Sequence, residues 1–149
     1  MSKTALRLVL DASVAVKAFV PEEHSPKARE LLARFAREDG AELIVPDLFF
    51  SECANVFWKW VWRSHYPAQS ARAHLHDLTR LGLTVWPAKL MAVDALEIAL
   101  THNISAYDAC YVAAAAAVGF PLITADERLV RQAAAGGYDI RWLGDALPA

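Results

Sequence analysis

At 149 residues, with 56% hydrophobic and 21% charged residues, the chain suits one folded domain with a substantial core. A formal net charge of −2 leaves no electrostatic footprint for a general polyanion binder. The apolar run near the N-terminus stops at Asp11, and the stretch from Ala109 to Ile123 is broken by Gly119 and Pro121, so neither export nor membrane insertion is expected.

Taken in chain order, short β-branched and leucine-rich runs alternate with longer helical patterns, as in βαβ units. The expected strands are Arg7–Leu10, Glu42–Val45, Leu83–Trp86, Pro121–Thr124 and Asp139–Trp142. A helix follows Asp11, and Ser25-Pro26 reads as an N-cap with proline at the first helical position of the next, which closes before Gly40. Asp47 is expected to cap a helix running to about Ser64, and Pro67 to start one ending near Gly82. Lys89–His102, Ala106–Val118 and Glu127–Ala135 complete the helices. Cys53 and Cys110 fall in apolar helical patterns, and a reduced, cytoplasmic protein is the simpler reading. No linker, repeat or composition shift divides the chain, so residues 1–149 are expected to form one domain.

The 47–64 helix carries Phe49, Phe50, Phe57, Trp58, Trp60 and Trp62, too many large apolar side chains for one face. Either the neighbouring helix covers the second face, or a subunit or partner does.

Four acids stand where a strand hands over to a helix or just inside one: Asp11, Glu52, Asp108 and Asp126. In a parallel sheet the strand C-termini share one edge, so acids distant in sequence can meet there. Carboxylates crowded into one cleft repel one another, and a hard divalent cation is the usual remedy. Each has a structural claim against it. Asp11 and Asp126 can cap helices, and Ser105-Ala106-Tyr107-Asp108 fits a capping box. Glu52 is harder to dismiss, because it lies among Phe49, Phe50, Cys53 and Val56, where an unpaired carboxylate costs several kcal/mol. Ser13, Asn55 and Thr124 accompany the acids as candidates to orient them, or as local backbone-bonding residues. Lys17, Lys59, Arg63, Arg128 and Arg131 are solvated surface charges or, around the cleft, candidate phosphate contacts.

These segments resemble the PIN-domain nucleases, and more narrowly the VapC toxins of VapBC toxin–antitoxin modules. The matching stretches are Val9-Leu10-Asp11-Ala12-Ser13-Val14, then Pro46 through Ser51-Glu52 and Asn55. Ser105-Ala106-Tyr107-Asp108-Ala109 with Tyr111, and Leu122-Ile123-Thr124-Ala125-Asp126-Glu127-Arg128-Leu129, complete the ordered set. The resemblance implies an α/β three-layer sandwich with a mostly parallel five-stranded sheet flanked by helices. It also implies an acidic site for Mg²⁺ or Mn²⁺, cleavage of single-stranded RNA, a VapB-type antitoxin partner and a homodimer. Carried over by position, Asp11 and Asp108 are direct metal ligands, with Glu52 and Asp126 completing the site directly or through water.

Two other classes compete. An aspartate-nucleophile phosphatase of haloacid-dehalogenase type wants a second acid two residues after the first, where Ser13 stands, and a cap domain that this chain is too short to hold. A non-catalytic PIN-fold binding module would be expected to lack one or more acids, yet all four are present.

Overall fold

The structure, a computed structural model, describes residues 4–145; the outermost residues of the expected 1–149 domain lie outside it. Five strands, β1 (Arg7–Leu10), β2 (Glu42–Pro46), β3 (Thr84–Trp86), β4 (Leu122–Thr124) and β5 (Ile140–Trp142), form one sheet. Its order is β3-β2-β1-β4-β5 and every pairing is parallel. Leu8, Val9 and Leu10 of β1, Leu43, Ile44 and Val45 of β2, and Leu122 and Ile123 of β4 are all buried. Such unbroken apolar runs are what strands covered on both faces require.

Seven helices flank the sheet among the described residues: α1 (Ala12–Lys17), α2 (Ser25–Arg37), α3 (Leu48–Ser64), α4 (Ala68–Arg80), α5 (Ala92–His102), α6 (Ala106–Val118) and α7 (Glu127–Ala133). The alanine-rich α6 lies against β1 and β2, where small side chains let its backbone come close, and α5 packs on α6. Gly119 closes α6 in the left-handed region (φ 73°), which a glycine occupies at no steric cost. Helix α1 packs on both α2 and α3, and α3 packs on α4. None of the helices is long and apolar enough to cross a membrane among the described residues. Cys53 and Cys110 are buried free thiols.

Several expectations shift by a residue or a role. Strands β3, β4 and β5 each begin one residue later than expected and β2 runs to Pro46. The Lys89–His102 helix divides into a 3₁₀ turn at Ala88–Leu90 and α5, and Glu127–Ala135 into α7 and a 3₁₀ turn at Ala134–Gly136. Ser25 does not cap α2. His24 holds that position in the left-handed region, while the buried Ser25 hydroxyl donates to the Val20 carbonyl at 2.6 Å. Asp47 precedes α3 but its side chain accepts from Ala88 N–H at 3.0 Å, tying the start of α3 to the turn after β3.

The two faces of α3 part company. Phe49, Cys53 and Phe57 are buried, and Phe57 and Trp60 pack with His74 and Tyr66 beside α4. Trp58 and Trp62 stay 57% and 73% exposed, stacked at 6.4 Å between ring centroids. Beside them runs an apolar groove of about 260 Å³ between α3 and α4, lined by Phe57, Trp58, Val61, Ala71 and Leu75.

Candidate active site

The strand order reverses between β1 and β4, because the chain builds outward to β2 and β3 on one side and to β5 on the other. At such a switch point the loops diverge and leave a crevice beyond the strand C-termini. Asp11 directly follows β1, Thr124 ends β4, and Asp126 stands two residues on. Asp11 N–H donates to the Ile123 carbonyl at 3.1 Å, so the two strand ends are fastened beside each other.

Asp11 is 4% exposed and makes no cap bond to α1. Its Oδ2 instead accepts from the Ser13 and Thr124 hydroxyls, both at 2.7 Å. These hydroxyls are themselves anchored: Ala125 N–H donates to Ser13 Oγ at 3.0 Å, and Asp126 N–H to Thr124 Oγ1 at 3.1 Å. Two hydroxyls thus fix one carboxylate oxygen and leave Oδ1 without a hydrogen bond among the described residues. Burial raises the Asp11 carboxyl from 3.8 to about 6; the two hydroxyls pull it down and Asp108 and Asp126 push it up. Thr124→Val keeps the shape and removes the buried donor. It is expected to destabilise the fold by about 1–3 kcal/mol and to weaken divalent-ion binding roughly 10–100-fold. Chemical denaturation and calorimetric metal titration check it; unchanged metal affinity would separate Thr124 from the site.

Glu52, one turn into α3, is pushed from 4.5 to about 7 by burial and by Asp11 and Asp108. Its Oε1 and the Tyr111 hydroxyl are both buried without a hydrogen-bond partner among the described residues. Tyr111 is near enough to oppose the rise slightly, but the two atoms do not reach hydrogen-bonding geometry. Asp108 is also raised, chiefly by burial, with Asp126 adding to the rise and Ser105 and Arg128 opposing it. Ser105 does cap α6, accepting from Asp108 N–H at 3.0 Å, and this sets Asp108 in the first turn. Asp126 has two roles: it caps α7 by accepting from Arg128 and Leu129 N–H, and it still bears on both Asp11 and Asp108.

The structure therefore brings all four predicted acids into one electrostatic neighbourhood. A hollow of about 490 Å³ is lined by Glu52, Asn55, Ser105 and Asp108, and a smaller one of about 120 Å³ by Asp108, Asp126 and Arg128. Asn55 lies on its wall with Glu52, as expected, whereas Lys59 and Arg63 line neither. Sequence reasoning gave no role to Ser105 beyond its capping box or to Tyr111 beyond the motif; a tyrosine one turn after Asp108 in an otherwise alanine-rich helix was the available signal for the latter.

Whether this donor set suits a divalent cation is decided by its own chemistry. The donors are all oxygens, at least two are buried, and one carboxylate oxygen of Glu52 is orphaned. As placed, no three His, Cys, Asp or Glu side chains among the described residues close on a single point, so the acids ring a space rather than fill it. Repulsion among like charges favours such spacing, and a cation would reverse it.

The PIN domain family profile matches residues 8–135, spanning all four acids. The chain belongs to the PIN domain family. Ribonuclease VapC3 of Pyrobaculum aerophilum is 33% identical over 129 residues, covering 85% of this chain and 95% of that protein. Among solved structures, PAE2754 from Pyrobaculum aerophilum superposes with a TM-score of 0.64 at 22% identity, over 85% of this chain and 79% of that one. VapBC2 from Rickettsia felis, solved bound to a DNA fragment from its promoter, gives 0.61 at 12% identity, over 92% and 98%. The structural likenesses establish the PIN fold, and the five-stranded parallel sheet with flanking helices is that fold.

Proposed function

We propose that this PIN domain is a Mg²⁺- or Mn²⁺-dependent endoribonuclease that cleaves single-stranded RNA in the cytoplasm, working as the toxin of a toxin–antitoxin pair. One observation carries the reading most: the buried Asp11 and half-buried Glu52 carboxyls, both raised toward neutrality, share one cleft with Asp108 and Asp126, a donor set that a divalent cation would suit. The relative named as a ribonuclease supports the choice of reaction. Asp11 and Asp108 would hold the ion directly, with Glu52 and Asp126 beside them. Bound there, it would supply Lewis acidity toward a phosphodiester and a lowered pKa for water. The chain's own contribution is positional. Ser13 and Thr124 fix Asp11, the α6 cap fixes Asp108, and α3 sets Glu52 beside them at the wall of the cleft.

Cleavage of tRNA, rRNA fragments and mRNA by antitoxin-free protein, with Mg²⁺, with Mn²⁺ and with chelator, tests this reading. Metal-dependent cuts absent from Asp108→Asn are expected; equal background from both proteins would refute it.

Two apolar surfaces support two protein partners. On α5, Ala95 and Ile98 face the core while Val93, Leu96 and Leu100 are 77%, 53% and 71% exposed, with Leu90 beside them. We assign this stripe to a second copy of the chain. The α3–α4 groove, with Trp58 at its edge and Glu52 on the same helix, we assign to the antitoxin, since an occupant there lies within two turns of the site. Leu96→Glu is therefore expected to give monomers that still bind antitoxin. Trp58→Ala with Trp62→Ala should do the reverse, with stability within about 0.5 kcal/mol of the parent because both rings are exposed. Sedimentation and antitoxin titration read both variants; a shared effect on both properties would merge the two surfaces into one.

A further inference from the structure

Beyond Asp126 the crevice continues into a third hollow of about 380 Å³, lined by Lys17, His24, Arg128, Arg131 and Trp142 with Asp126 at its mouth. Asp126 and Arg128 belong to this hollow and to the one containing Asp108, so the carboxylate cleft and this pocket form one trough. Its back wall is aromatic. The His24 and Trp142 rings meet edge to face at 5.0 Å. His24 is a non-glycine residue in the left-handed region (φ 65°), and its Nε2 is buried without a hydrogen bond among the described residues, 3.6 Å from a Glu23 carboxylate oxygen. A side chain other than glycine is strained in this region, and the strain persists where the surroundings impose it.

Trp142 is held in place as well. Its ring lies over Gly144, where any Cβ would fall 2.2 Å from the indole, so only glycine permits this orientation. Leu143 N–H donates to the Thr124 carbonyl at 2.8 Å, and Lys27 donates to the Gly144 carbonyl. The segment carrying Trp142 is thereby tied to the residue that orients Asp11. The charge around the pocket is balanced. Arg131 is exposed and makes no salt bridge among the described residues, whereas Lys17 is paired with Glu22 at 3.2 Å, and Glu23 and Glu127 line the pocket. A balanced rim with an aromatic wall attracts phosphate weakly and favours recognition of an unpaired base, which offers a π-face.

Resting on the nuclease reading, we infer that this pocket is a base-selective subsite. It receives the nucleotide flanking the scissile phosphate on the Asp126 side, with its base against Trp142 and His24 and its phosphate toward Arg131. The substrate class is thus single-stranded RNA, with a base preference at one position next to the cut.

The test is digestion of short single-stranded oligoribonucleotides of randomised sequence with Mn²⁺, followed by sequencing of the products. The parent protein is expected to show a base preference at one position beside the cut. Trp142→Leu should erase it and raise KM roughly ten-fold or more, Trp142→Phe should keep it, and Arg131→Ala should raise KM without altering it. A folded Trp142→Leu protein with the parent's preference and KM overturns the subsite, as does a parent that cuts with no preference there. Should Trp142→Leu fail to fold, iodouridine-substituted RNA photo-cross-linked to Asp108→Asn protein decides: attachment at Trp142 supports the pocket, attachment only elsewhere overturns it. A parent that neither cuts nor cross-links RNA overturns the nuclease reading itself, an outcome distinct from failure of the subsite alone.

Discussion

Asp11→Asn is expected to remove metal-dependent cleavage, by about 10²–10³-fold or more, while making the metal-free protein more stable. An asparagine oxygen can still accept from Ser13 and Thr124, so the local geometry survives. What disappears is the cost of holding an ionised group that burial has raised from 3.8 to about 6. A shift of that size corresponds to about 2–3 kcal/mol at neutral pH, each unit being about 1.4 kcal/mol. Cleavage assays beside denaturant melts in chelator would read the two effects together. Loss of stability along with activity would mark Asp11 as a structural residue and not a metal ligand.

The second large effect concerns pH. In most proteins paired carboxylates have lowered folded-state pKa values, and stability falls in acid. Here Asp11, Glu52 and Asp108 are all raised. Between the unfolded values near 4 and the folded values of about 6 and about 7, the folded chain binds more protons than the unfolded one. Stability of the metal-free protein must therefore fall as pH rises through this window and level off above it. Mg²⁺ or Mn²⁺ should raise the melting temperature, and more at about pH 7.5 than at about pH 5, because protons compete for the same oxygens. Melts across this range in chelator and in metal decide the matter. Stability that is flat or rising with pH in chelator would mean that the acids are not forced together as described.

Much of the fold was legible because its decisive signals are local and redundant. The buried runs Leu8–Leu10 and Leu122–Ile123 read as strands from composition alone, and Gly119 marks the end of α6. The four acids were legible for a related reason: strand ends in parallel sheets converge whatever lies between them. Caps were read less well, since a short polar side chain has several possible partners. Ser25 and Asp47 look alike as N-caps, but one was taken by the Val20 carbonyl and the other by an N–H 41 positions away. On α5, periodicity reveals a stripe of apolar residues without saying which stripe faces inward. Against the alanines of α6 the smaller Ala95 fits, and Val93, Leu96 and Leu100 are left outside. The Trp142 pocket had no sequence signature, because it depends on a ring folding over Gly144 and on a helix start contributed by His24.

The pairing of β1 with β4 has a consequence for how the chain comes into being. Val9 and Leu10 align with Leu122 and Ile123, joining the first of the five described strands to the fourth. Of the four acids, Asp126 is translated last, and Thr124, which orients Asp11, only just before it. A nascent chain can fold β1, β2 and β3 and still have no complete carboxylate ring. The four carboxylates therefore cannot come together until β4 and Asp126 have been made.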